Sequence, residues 1–192
     1  MSTATRITLA EYDRMIAAGA FDGGLNRPRV ELIDGELREM SPINSPHAIT
    51  VSILNEWSFE SRSKDKVWVR VQCPILIPAR ESAPEPDIAW VARKDYRLAH
   101  PGPGDILLVI EVAESSLDYD CGEKADLYAG AGIADYWVVN VRDCCVEVFR
   151  QPEGGRYLSH QVFKTPDAVH PLAFPAVVLP VMKLFPPEPS AK

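Results

Sequence analysis

Asp87, in Pro86-Asp87-Ile88, and Glu111, in Leu107-Leu108-Val109-Ile110-Glu111-Val112, are carboxylates set in or beside apolar, β-branched runs. Such runs read as strands of a sheet, where an ionised carboxylate is costly to desolvate unless a cation or hydrogen bonds compensate it. Downstream, Asp120 and Lys124 stand four apart on a predicted helix and project from one face. Hard cations such as Mg²⁺ bind through one or two carboxylates, with water and substrate phosphate completing the shell. Asp87 and Glu111 supply those carboxylates if their strands are neighbours, and the backbone carbonyl of Val112 is a third candidate oxygen. A lysine ammonium beside such an ion would orient the attacking water and offset charge on a scissile phosphate. A plainer reading also stands. Both carboxylates can be read as strand ends facing water, and Asp120 with Lys124 as an exposed helix pair worth about 0.3 kcal/mol.

The elements that must position these groups follow from periodicity. Residues Ile7 to Ala18 have helical apolar spacing, with Thr8 and Glu11 three apart as a capping box. The stretch from Arg29 to Met40 alternates in polarity around Asp34-Gly35, a strong two-residue hairpin turn. Ser45-Pro46 opens a helix running through His47 and Trp57 to about Arg62, with Ser45 as the expected cap. Val67, Val69 and Val71 then share one strand face, with Trp68, Arg70 and Gln72 on the other, and Ile75 to Ile77 is expected to continue that strand. Asp87 to Val91 is a short strand, and Ile106 to Val112 is a central strand covered on both faces. Leu117 to Ala131 is helical. Tyr136 to Val141, Cys145 to Arg150 and Tyr157 to Phe163 form a β-meander.

The chain of 192 residues suits one domain with a full core, expected over residues 1–185, followed by a flexible proline-rich tail, 186–192. Its longest uncharged apolar stretch, Leu172 to Met182, contains Pro175 and Pro180. It is too short and too broken for a membrane span of about 20 residues. No signal peptide is evident, which points to the cytoplasm. Cys73, Cys121, Cys144 and Cys145 make no zinc pattern and read as reduced thiols, the last two side by side on a strand. The formal net charge of −7 is a poor footprint for non-specific nucleic-acid binding. A nuclease of this charge needs a metal, a local basic patch or a second subunit to hold DNA.

The motifs Val69-Arg70-Val71-Gln72, Pro84-Glu85-Pro86-Asp87-Ile88, Val109-Ile110-Glu111-Val112 and Tyr119-Asp120-Cys121-Gly122-Glu123-Lys124, with Tyr128, Gly132-Ile133 and Asp135-Tyr136-Trp137-Val138-Val139, carry a resemblance. Together they resemble a bacterial restriction-endonuclease family, catalogued as a domain of unknown function, abundant in cyanobacteria and placed in the PD-(D/E)XK nuclease superfamily. The resemblance implies an α/β fold. Its core is a restriction-endonuclease-like mixed β-sheet flanked by helices, with an added N-terminal β-hairpin and a C-terminal β-meander. It also implies a Mg²⁺-dependent endonuclease acting on DNA, with Mn²⁺ as a substitute ion. In this pattern Asp87 and Glu111 are the motif acids, and Glu31 matches an N-terminal glutamate. Ala113 stands where the superfamily has its lysine, and Lys124 is the migrated replacement. His47, Gln72 and Asp120 are accessory candidates, while Tyr128 and Trp137 are expected to pack. A duplex cut by one site per chain favours a homodimer. The competing expectation is a non-catalytic interaction module that keeps the nuclease fold.

Overall fold

The computed structural model describes residues 6–21 and 29–185, so the proline-rich tail expected at 186–192 lies outside the described residues. Helix α1 (Leu9–Ala17) is closed by the Thr8–Glu11 capping box. Strands β1 (Val30–Ile33) and β2 (Glu36–Glu39) form the expected hairpin. Its turn has Asp34 at φ 50° and Gly35 at φ 75°, the left-handed pair that a two-residue hairpin loop requires. Helix α2 (Ser45–Ser61) follows, and its cap is Asn44 rather than Ser45. Asn44 is extended at φ −98° and ψ 174°, and its Oδ1 accepts the His47 amide at 3.0 Å. Ser45 therefore sits inside the first turn.

Six strands build the main sheet: β3 (Val67–Val71), β4 (Ile88–Ala92), β5 (Ile106–Ala113), β6 (Asp135–Asn140), β7 (Cys145–Glu153) and β8 (Arg156–Phe163). They lie in sequence order across the sheet. Of these six, only β5 and β6 pair in parallel, joined by the helical segment that crosses between them. Strand β3 ends at Val71, and Ile75 to Ile77 does not extend it. Gln72 turns into the left-handed region at φ 48°, and Pro74 has no amide to donate. Ile75 and Ile77 instead donate to the carbonyls of Pro84 and Ser82, folding 75–84 back on itself. Cys144 lies in the β6–β7 turn at φ 51° and is exposed, while Cys145 starts β7 and is buried, so the two thiols do not share a strand.

Two apolar layers cover the sheet. On one face, Val51, Leu54 and Trp57 of α2 pack on Ile88, Trp90, Leu108 and Ile110. Trp57 stacks on Trp90 at 5.2 Å between ring centroids and lies 6.0 Å from the buried Trp137. On the other face, the crossing helix covers Ala89, Val109 and Val138 with Ala125, Leu127 and Tyr128. This helix is a relay of three segments: α3 (Leu117–Tyr119), a π-helical turn (Asp120–Lys124) and α4 (Ala125–Gly130). After the sheet, β9 (Ala168–Val169), β10 (Leu179–Pro180) and α5 (Val181–Leu184) close the edge of the α2 layer. Among the described residues, no helix is long and apolar enough to cross a membrane.

Candidate active site

Strand alternation places Asp87 and Glu111 together. In β5, Ile110 and Val112 face the α2 layer, so Glu111 points to the opposite face, where the crossing helix lies. Asp87 immediately precedes β4, whose Ile88 pairs with Ile110. The Asp87 amide donates to Glu111 Oε2 at 3.3 Å, and the Val112 amide donates to Asp87 Oδ2 at 2.9 Å. A strand residue turns its amide and carbonyl toward the same neighbour. The Val112 carbonyl therefore faces the Asp87 side, beyond the end of β4.

The π-helical turn carries Asp120 and Lys124 inward, contrary to the plain reading of an exposed helix pair. Both are 4 % exposed. Lys124 Nζ lies 3.0 Å from Glu111 Oε1 and 3.3 Å from Glu31 Oε2. A widened turn of this kind occurs mostly as a single insertion in a helix, frequently at functional sites. Glu31 arrives from the hairpin. The Ala83 amide donates to the Leu32 carbonyl at 2.7 Å, docking β1 on the segment before Asp87. The Glu85 amide then donates to Glu31 Oε2 at 3.2 Å. Asp87, Glu111, Lys124 and Glu31, brought from four elements, line a cleft of about 120 Å³ together with Asp120, Val112, His47 and Gln72.

The accessory candidates His47 and Gln72 hold Asp87. His47 Nε2 is 3.1 Å from Asp87 Oδ2, and Gln72 Nε2 donates to Asp87 Oδ1 at 3.1 Å. Asn44 fixes His47 by capping the helix that bears it, and the left-handed Gln72 ends β3 beside the cleft. The third accessory candidate, Asp120, is turned to its own helix, where its Oδ2 accepts the Ser116 hydroxyl at 2.5 Å. Two further residues join the site. Tyr128, expected only to pack, donates its hydroxyl to Glu111 Oε1 at 2.8 Å. Tyr119 Oη lies 3.4 Å from Glu31 Oε1. The spacing of Lys124 and Tyr128, four apart on one helix, is the signal in the sequence, since both reach the same oxygen of Glu111.

The site drives its carboxylates apart in acidity. Burial pushes Asp87 up, but hydrogen bonds from His47, Val112 and Gln72 outweigh it and hold this carboxyl below its ordinary value. Burial pushes Glu111 up to about 8, against the attraction of Lys124. Burial likewise raises Asp120 to about 6. Burial would strip the proton from Lys124, but Glu111, Glu31 and Asp120 hold its pKa well above the ordinary lysine value. The Asp87 hydrogen bond raises His47. Glu111, Glu31 and Asp120 thus favour the charged form of Lys124.

The donor set suits a hard divalent ion: two adjoining carboxylates and a carbonyl, all oxygen. Among the described residues no group of three or more His, Cys, Asp or Glu side chains is arranged to hold a metal. Two carboxylates are nonetheless enough for Mg²⁺, which keeps several waters and takes only one or two carboxylates from protein.

The family model described as "Uma2: Putative restriction endonuclease" matches residues 9–182. No curated protein matches the chain. Among solved structures, the chain is similar to one described as a "putative nuclease belonging to DUF820" from Anabaena variabilis, at a TM-score of 0.67 and 18 % identity. The match covers 93 % of this chain and 97 % of that one. At this identity the likeness is one of fold, a mixed sheet flanked by helices. With the family match spanning nearly its whole length, the chain belongs to the Uma2 family of restriction-endonuclease-like proteins.

Proposed function

We propose that this protein is a Mg²⁺-dependent endonuclease that hydrolyses phosphodiester bonds in DNA, with Mn²⁺ as an alternative ion. The observation that carries the reading is the convergence of Asp87, Glu111 and Lys124 on one buried cleft floor. In this reading Asp87, Glu111 and the Val112 carbonyl hold the ion. The ion, when bound, supplies positive charge to the scissile phosphate and acidifies water.

The chain's own residues do the rest. Asp87 stays ionised through its three donors, ready to bind a cation. Glu111 is steered by the Lys124 ammonium and the Tyr128 hydroxyl, which grip one of its oxygens and leave Oε2 toward Asp87. Lys124 keeps its proton and serves as donor to the attacking water or to a phosphate oxygen. Glu31 also pairs with Lys124 and offers a second acceptor for that water. Two sites related by a two-fold axis in a homodimer would match the symmetry of a duplex and cut both strands.

Purified protein is expected to nick or cut DNA with Mg²⁺ or Mn²⁺, and Asp87→Ala is expected to abolish cleavage. Lack of cleavage on varied DNA and RNA with either ion, in protein shown to be folded, would overturn the reading.

A further inference from the structure

The cleft is strongly acidic. Glu31, Glu39, Glu85, Asp87, Glu111, Glu114 and Asp120 line it, against the cations Arg29 and Lys124. Within a chain of net charge −7, a polynucleotide needs its attraction from elsewhere.

A second concavity, a groove of about 810 Å³, lies along the outer strand β3 and the segment after β4. Trp68, Arg70, Arg93, Lys94, Asp95, Tyr96 and Arg97 line it. Trp68 is 39 % exposed as a residue, its Nε1 donates to the Lys94 carbonyl at 3.2 Å, and the Arg93 guanidinium carbon sits 3.9 Å from the ring centroid. Arg93 donates to the Lys64 carbonyl, and Arg70 reaches His100 rather than a carboxylate. The Arg70 Nε is buried and has no hydrogen-bond partner among the described residues. Lys94 pairs with Asp105, and Arg97, 88 % exposed at its side chain, pairs with Asp95. Even with those acids present, the groove carries a net positive charge, opposite to the chain as a whole.

Position links groove and cleft. Trp68 pairs with Val91 and Arg70 with Ala89, residues of the layer on the Glu111 side of the sheet. Trp68 and Arg70 thus share a face with Asp87 and Glu111. Gln72 follows Trp68 by four positions, a span of about 13 Å at ~3.3 Å per residue.

Basic side chains interleaved with aromatic rings are the chemistry of single-strand binding, in which cations track the backbone and bases stack on rings. We infer that the Trp68–Arg93 groove binds an unpaired segment of a polynucleotide strand leading into the cleft. The inference rests on the nuclease reading only for its choice of ligand.

The test is equilibrium binding of a fluorescein-labelled single-stranded DNA oligonucleotide, and of its duplex, in EDTA. The wild type is expected to bind the single strand more tightly than the duplex. Trp68→Ala is expected to weaken single-strand binding roughly tenfold, the loss of one stacked base. Arg93→Ser and Arg97→Ser are each expected to weaken it and to reduce the salt slope by about one between about 50 mM and 200 mM. Arg97 is a surface side chain, so its variant reads the groove even if Trp68→Ala misfolds. Arg156→Ser, on β8 at the far edge of the sheet, is expected to bind as wild type. Groove variants that bind as wild type, a duplex preferred over the single strand, or no binding by the wild type at about 50 mM salt would each overturn the inference. Cleavage by the same wild-type preparation with Mg²⁺ reads the nuclease proposal separately.

Discussion

At the scale of single residues, Glu111 is held by three donors in the cleft. It is buried beside a lysine, a tyrosine and the Asp87 amide, and each contact sets where its charge can sit. Removing the phenol hydroxyl alone, in Tyr128→Phe, leaves the packing of the ring intact. It is expected to cost about 1 kcal/mol of stability, the usual net worth of a hydrogen bond. It is also expected to lower kcat for DNA cleavage about fivefold, since about 1.4 kcal/mol is a factor of ten and about 1 kcal/mol a factor of about five. KM should change little, which steady-state kinetics would show. Asp120 offers a test by pH. Its carboxyl is raised from 3.8 to about 6, chiefly by burial. Between those values the native state retains a proton that the unfolded chain has released, so this group's contribution to stability falls as pH rises through the window. Asp120→Asn removes the titration. Thermal melts of the variant should show a smaller loss between about pH 4 and pH 7 than wild type. Each tenfold difference in acidity between the native and unfolded carboxyl is worth about 1.4 kcal/mol.

Four elements meet at the cleft, and each is legible in the sequence to a different degree. The hairpin can be read fully from Asp34-Gly35, because a two-residue turn with left-handed backbone leaves little choice of register. Strand β5 is equally clear, and its alternation alone puts Glu111 opposite Ile110 and Val112. The inward placement of Lys124 is indicated only by resemblance, because four-residue spacing on a helix does not say which face is buried. The π-helical turn that buries it has no sequence signature of its own. Ile75 to Ile77 looks like strand because all three are apolar. Their burial serves a folded-back loop, imposed by a left-handed Gln72 and by Pro74, which a periodicity rule does not register. Tyr128 reads as packing because a buried aromatic residue usually is, and its hydroxyl partner comes from a strand 17 residues earlier. The hairpin also yields a prediction. Gly35 has φ 75°, and a Cβ there would fall 2.9 Å from Arg6 Cβ and 3.1 Å from the Ile7 carbonyl. Gly35→Ala is expected to cost more than about 1 kcal/mol in denaturant unfolding. It should also lower activity by loosening the strand that delivers Glu31.

Over the whole molecule, charge is divided by location. An acidic cleft suits a cation, and a basic groove on the same sheet face suits a phosphate backbone. The fold makes both from one arrangement, because β3 and β5 run to the cleft and β4 starts from it, while β3 also borders the groove. Lys124 on the crossing helix lies 3.0 Å from Glu111, the place in which the family resemblance expects a lysine. The central requirement is that this floor takes a divalent ion. A crystal structure of the protein soaked in Mn²⁺, read by anomalous scattering, tests it most directly. The expected result is an ion held by Asp87, Glu111 and the Val112 carbonyl, with Lys124 beside it. An empty cleft at saturating Mn²⁺, or an ion bound only elsewhere, would contradict it and favour the non-catalytic module.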